Sequence, residues 1–266
     1  AEMSSINPVV LLPETLALKT TETATALAGS VTLGVGQFCT NPGLLFVIRS
    51  KASDAFVESL IAALSNAAAA TMLNQHICKA YYADRSRVLQ TKGVKALFAG
   101  DDLSNEYKGS PTLLSVSAAD FINEPSLQDE VFGPCSLVVV CDDKQQLEAA
   151  LKTLHGQLTG SVFGTTDELK RYTTVIDILQ QKTGRVIFNT VPTGVEVCHA
   201  MHHGGPYPAT TDSRFTSVGA DAIKRFARPL AWQNWPDHML PAELQNANPL
   251  NLLRSVNGSM SKDVIA

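Results

Sequence analysis

The sequence predicts an α/β fold built on an open, largely parallel sheet with helices on both faces. Three observations lead there. Short apolar runs, NPVVLL at 7–12, LLFVI at 44–48 and SLVVV at 136–140, are continuous rather than alternating, as in strands buried on both faces. Longer stretches with apolar residues spaced three and four apart lie between such runs and read as amphipathic helices. Strands that alternate with helices in this way pair in parallel, and ligands of such sheets usually collect beyond the carboxyl ends of the strands.

In order, the strand at 7–12 runs into Pro13-Glu14, which opens a helix reaching toward Val35 and packing through Leu16, Ala24, Leu27, Ala28 and Val31. A strand at 44–48 precedes a helix at 53–70 with Phe56, Leu60, Ala63 and Leu64 on one stripe. Residues 71–90 read as helix, although Asp84, Arg85 and Arg87 blur any stripe. Short strands are expected at 95–99 and 112–116, a stronger one at 136–140, and a helix at 143–155 carrying Leu147, Leu151 and Leu154. After a strand at 160–163, Thr165 and Glu168 form a capping box for a helix with Leu169, Tyr172, Ile176 and Leu179 inward, ended by Gly184. A strand at 185–188 follows. Regular patterning stops from 189 to 219, and a structureless loop of that length usually serves function. A short helix at 221–225 precedes an exposed apolar strand at 229–235 with two tryptophans, an edge in search of a partner. The tail at 236–266 is polar and rich in Asn and Ser, expected to pack loosely or wrap a partner.

Composition narrows the function. With 266 residues, 45% hydrophobic and 17% charged, the chain can bury a sizeable core. Its net charge of −4 and lack of a Lys/Arg cluster argue against nucleic acid as a partner. The five cysteines are odd in number and scattered, which is no disulfide framework and suits a reducing cytoplasm. No apolar run reaches the roughly 18 residues a membrane crossing needs, so neither insertion nor export is expected.

One side chain is placed for covalent chemistry. Cys39, in GVGQFCTNPG at 34–43, follows the first helix and two glycines, so a sharp turn can set its sulfur at a cleft. The alternative is a cysteine serving as a small buried hydrophobe. The Gly34-x-Gly36 pair is not a dinucleotide loop, because it closes a helical run instead of linking a strand to a helix. Cys198, His199, His202 and His203 offer zinc-type ligands, but no second pair lies across a longer loop and adjacent His202 and His203 should point apart, so no metal is expected. No histidine stands at a spacing that marks a cysteine hydrolase.

Five ordered blocks add a family. AEMSSINP with Glu2, GQFCTNPG with Cys39, EVFGP at 130–134, GRVIFN from Gly184 and HGGPYPATTD from His203 resemble the signature blocks of aldehyde dehydrogenases. They look most like the branch acting on 2-oxoglutarate semialdehyde (2,5-dioxopentanoate) and related fatty aldehydes. The resemblance implies oxidation of a small-molecule aldehyde to a carboxylate with NAD or NADP, through a Cys39 thioester hydrolysed by water that Glu2 activates. Glu130 would hold the ribose of the cofactor, Phe132 would pack on its nicotinamide, and His203 would line the substrate pocket. The resemblance further implies a fragment, whose cofactor-binding half and oxyanion-hole asparagine lie on sequence before Ala1. Residues 1–228 would then be the catalytic domain, and 229–266 an oligomerisation strand and tail joining a homo-oligomer. Such a chain is expected to show no dehydrogenase turnover alone, with weak residual esterase activity at Cys39 as an alternative. The competing expectation is an inactive interaction module.

Overall fold

The apolar runs become strands because each has side chains to bury on both faces. In the computed structural model, which describes residues 1–265, β1 (Val9–Leu11), β2 (Leu44–Ile48), β4 (Lys95–Ala99), β6 (Thr112–Ser117), β7 (Cys135–Cys141), β8 (Gln157–Phe163) and β9 (Thr183–Phe188) form one sheet. Its order is β4-β6-β7-β2-β1-β8-β9, with all pairs parallel except the edge pair β4–β6. Alternate residues of one strand enter opposite layers: Val10, Leu44 and Phe46 face one core, and Val9, Leu11, Leu45 and Val47 the other. The fold is therefore the expected open α/β sheet covered on both sides. The tiny pair β3 (Ala70–Thr71) and β5 (Lys108–Gly109) stands apart from it.

Helix α1 (Pro13–Thr32) buries Leu16, Ala24, Leu27, Ala28 and Val31 as the spacing requires. Helix α2 (Lys51–Ser65) stops short of the expected residue 70. Its last alanines have no apolar face to bury, and Ala70 pairs with Gly109 instead. Helix α3 (Gln75–Gln90) starts only at the Asn74 cap, and its hidden stripe is Cys78, Tyr81, Tyr82, Arg85 and Val88. Arg85 disguised that stripe: it is buried against the Tyr82 ring at 4.5 Å and donates to the Gly100 carbonyl. Helix α4 (Ala118–Asn123), capped by Ser117, was not foreseen, and α5 (Lys144–Thr153) fits its expected stripe.

The Thr165–Glu168 capping box forms, but the helix it opens breaks at Tyr172 into α6 (Thr166–Arg171) and α7 (Thr173–Lys182). The inward side of α7 is Val175, Ile178 and Leu179, not Ile176. Gly184 does not end that helix; it lies inside β9, where a Cβ would sit 1.8 Å from the Gly204 carbonyl oxygen. A glycine there lets the loop carrying His203 rest directly on the strand.

The unit just described spans Ala1–Arg225, and a second begins at Phe226. In the second unit, residues 229–235 form no strand, contrary to expectation. A strand needs a hydrogen-bonded neighbour, and none pairs with this segment among the described residues. Trp232 and Trp235 instead pack edge to face at 5.0 Å. The tail holds a hairpin of β10 (Arg254–Val256) and β11 (Ser259–Ser261). Among the described residues, no helix is long and apolar enough to cross a membrane.

Candidate active site

The candidate residues sit on the loops that lead into the strands, not on those that leave them. Glu2 precedes β1, Cys39 precedes β2 and Glu130 precedes β7, so parallel pairing brings all three to the amino edge of the sheet. These candidate residues thus gather at the edge opposite the carboxyl ends, where ligands of such sheets are expected. Helix α1 starts at that carboxyl edge and carries the chain back, delivering Cys39 at its far end.

After α1 the chain tightens into a 3-10 turn, Leu33–Gly36, with positive φ at Gly34, Val35 and Gly36. It closes a helix, as a phosphate-cradling loop would not. At Gly36 (φ +68) a Cβ would meet the Gly133 carbonyl at 2.3 Å, so the cysteine loop and the EVFGP loop touch through backbone alone. Asn41 adds a hydrogen bond to the Gly133 carbonyl at 3.1 Å.

Asn7, which the sequence reading passed over, clamps the cysteine loop. Fully buried, its amide donates to the carbonyls of Cys39 and Asn41, each at 2.9 Å, and its oxygen accepts from Ser5 and Thr159. Its φ of 46° is left-handed, a conformation that a residue before proline rarely adopts. Gln157 supports the turn by accepting from Ser5 Oγ and from the Ile6 and Asn7 amides. The signal was present as an asparagine before proline in SINP, but short polar residues near prolines are too common to single one out.

The Cys39 sulfur is partly exposed and lies 3.2 Å from His203 Nε2. The same nitrogen is 3.4 Å from Glu2 Oε1, and the His203 ring is only 4% exposed. The second Glu2 oxygen accepts from Ser217 Oγ. His203 is pinned by its own backbone, whose N–H donates to Thr216 Oγ1 and whose carbonyl accepts from the Ser217 N–H. Glu2 is no loose chain end: it bridges Thr210, and the Met3 amide donates to the Ala209 carbonyl at 2.8 Å. The sequence offered no histidine partner for Cys39 because the two lie 164 positions apart. The N–H of Cys39 has no acceptor among the described residues and is free to face a substrate oxygen.

Charge in this corner is mutual. Hydrogen bonds to Cys39 and then Glu2 push the His203 imidazole up to about 9, against the burial that opposes its charge. The His203 ring in turn holds the Glu2 carboxyl below its usual range. A base with its affinity raised toward neutrality by burial is found elsewhere, at Glu130, where desolvation lifts the carboxyl to about 7 despite a hydrogen bond from Ser4 Oγ at 3.1 Å. Glu130 and Phe132 line a cavity with Gly36, Phe38 and Asn41, so the two residues expected at a cofactor share one wall. Arg185 stands half-buried nearby; desolvation holds its guanidinium below the ordinary value, the Cys39 charge partly opposes this, and the guanidinium donates to the Pro192 carbonyl. The four residues weighed and set aside as zinc ligands part company: Cys198 and His199 are exposed, while His203 turns inward to join Glu2 and Cys39.

Comparison with known proteins places these features. The model of the aldehyde dehydrogenase family matches residues 1–226. Among curated relatives, alpha-ketoglutaric semialdehyde dehydrogenase 2 of Azospirillum brasilense is 44% identical over 258 residues, covering 97% of this chain and 49% of that protein. The alpha-ketoglutaric semialdehyde dehydrogenase of Acinetobacter baylyi is 42% identical over 264 residues, covering 99% of this chain and 50% of its own length. The chain therefore spans about half the length of these relatives. Among solved structures, methylmalonate-semialdehyde dehydrogenase of Oceanimonas doudoroffii superposes with a TM-score of 0.69 at 19% identity, covering 89% of this chain and 49% of that one, which supports the fold. From the order of its blocks, its sheet and the family match over most of its length, the chain belongs to the aldehyde dehydrogenase family.

Proposed function

We propose that this chain carries the acyl-transfer site of an NAD(P)-dependent aldehyde dehydrogenase that oxidises a 2-oxo acid semialdehyde, 2-oxoglutarate semialdehyde first among them, to the carboxylate. The observation that carries the reading is the line of Cys39 Sγ, His203 Nε2 and Glu2 Oε1 at 3.2 and 3.4 Å. The relatives' names supply the substrate class.

His203 takes the thiol proton, and Sγ attacks the aldehyde carbon while the carbonyl oxygen becomes an alkoxide. That alkoxide faces the free Cys39 N–H, a kind of donor that contributes on the order of 3 kcal/mol. The hydride leaving the carbon goes to NAD(P) when it is bound, which is the chemistry the cofactor supplies. Glu130 and Phe132 fit its reactive end: a carboxyl near half-protonation at neutral pH can both donate to and accept from ribose hydroxyls, and the Phe132 ring offers a flat apolar neighbour. Glu2, held by Ser217 and His203, then orients and deprotonates the water that attacks the thioester carbon, and Cys39 leaves as thiolate. Arg185 supplies positive charge near the sulfur for an anionic substrate tail.

Residues 1–228 act as the catalytic domain, and the apolar segment at 229–235 would complete a strand on a second copy of the chain. A second reading rests on the same trio: a cysteine, a histidine and a carboxylate in line hydrolyse activated esters without any cofactor. Incubation with a p-nitrophenyl ester tests the shared step. Wild type should release nitrophenol with an acyl group found on Cys39 by peptide mapping, and C39S should lose at least about a thousand-fold in rate. Equal rates for wild type and C39S would refute the site. Aldehyde with NAD(P) separates the readings: reduced cofactor should form when residues 1–266 are joined to the part of a relative that they do not span, and ester hydrolysis alone under all conditions would favour the second reading.

A further inference from the structure

We infer that Glu2, Cys39 and His203 form a binding site for a thiophilic divalent cation, zinc foremost, which would occupy the sulfur and silence it. The argument begins with a surplus of acceptors. His203 Nε2 faces both the Cys39 sulfur at 3.2 Å and Glu2 Oε1 at 3.4 Å, yet a ring nitrogen carries one proton and cannot satisfy both at full strength. A metal ion in place of that proton is shared by all three.

The spacing suits it. Zinc bonds sulfur at about 2.3 Å and imidazole or carboxylate at about 2.0–2.2 Å, so ligand atoms around one tetrahedral ion stand roughly 3.3–3.6 Å apart. The three ligand atoms here lie within 4.8 Å of one another, two of the separations being 3.2 and 3.4 Å. Small side-chain shifts close the rest. The donor set is one zinc favours, with thiolate, imidazole and carboxylate; the two anions balance the dication, and the thiol proton leaves to solvent.

Outer contacts are already in place. Ser217 Oγ holds the Glu2 oxygen that faces away, and Thr216 and Ser217 fix the His203 backbone, the orientation of ligands that metal sites depend on. Cys39 and Glu2 are partly exposed, leaving an approach for the ion and a fourth position for water. The silencing rests on the proposed nucleophile; the binding does not.

Cobalt titration of the full chain reads the binding without any assay of activity. One equivalent of cobalt should give a thiolate-to-cobalt charge-transfer band with the visible spectrum of a four-coordinate ion, and zinc should displace it one for one. The band should vanish in C39S, weaken at least about ten-fold in affinity in E2Q and H203A, and persist unchanged in C198S. In unmodified protein, which removes any concern over folding of variants, zinc should protect Cys39 from iodoacetamide and a chelator should restore labelling. A band that survives C39S or disappears in C198S, or Cys39 labelling that zinc leaves unchanged, overturns the site. If cobalt binds at Cys39 while C39S hydrolyses ester as fast as wild type, the metal site stands and the proposed nucleophile falls.

Discussion

The corner that holds Cys39 and the loop that holds Glu130 touch through Gly36 and Gly133, yet they treat a carboxylate in opposite ways. In the corner, an imidazole 3.4 Å from Glu2 favours its charged form, and its carboxyl is held below the usual range. In the loop, half-buried Glu130 has no cation beside it, and desolvation, with a smaller push from the Glu2 charge, lifts it to about 7 against hydrogen bonds from the Ser4 hydroxyl and the Ser5 amide. A few ångströms of shared backbone therefore separate an ionised base from a carboxyl that titrates near neutrality. The difference lies in partners: burial alone raises an acid, and burial beside a cation lowers it.

The largest effect that would break this contrast is removal of the imidazole. H203A should slow p-nitrophenyl ester hydrolysis by about 10²–10⁴-fold, the range for a positioned general base, while leaving the circular dichroism spectrum unchanged. Unaltered turnover would show that the corner does not act as a unit.

Next comes the clamp on which the corner depends. N7A leaves the Cys39 and Asn41 carbonyls without the donors that now reach them at 2.9 Å, so urea unfolding should reveal a loss of about 3 kcal/mol. A change below about 0.5 kcal/mol would mean that water replaces the amide. G36A attacks the seam between the two regions. With φ at +68° and a Cβ 2.3 Å from the Gly133 carbonyl, it should cost about 1–3 kcal/mol and increase iodoacetamide labelling of the three buried thiols Cys78, Cys135 and Cys141.

The smallest effect sharpens the contrast instead of breaking it. For Glu130 the folded value is raised, from 4.5 to about 7, so in that window the folded chain keeps a proton the unfolded chain has lost. Its contribution is most favourable below about 4.5, declines as pH rises, and is flat above about 7. Urea midpoints across that window should fall less steeply in E130Q than in wild type. Parallel slopes would show that Glu130 is more hydrated than its burial implies.

Much of the frame was legible because its causes are local. Runs such as LLFVI and SLVVV have only one economical fate, and the 136–140 reading grew by one residue at each end into β7. The capping box at Thr165 and Glu168 also formed, yet Glu168 does more than its helix requires: its carboxylate accepts from the Glu14 and Thr15 amides at the start of α1 as well. That second role comes from β1 and β8 lying side by side, which no window of sequence contains. Gly184 shows the same limit. Beside a helix it reads as a cap, and only the approach of Gly204 reveals a strand glycine needed for close packing.

The sequence by itself determined the alternating strands and helices, the two-faced sheet, the cysteine worth testing and the five family blocks. Each rests on residues within a few positions of one another. Only the tertiary structure decided that His203 lies beside Cys39, that Asn7 holds the loop, that Glu2 is lowered while Glu130 is raised, and that the candidate residues gather at the amino edge of the sheet. Those outcomes depend on distances between segments up to 215 positions apart, set when the chain closes on itself.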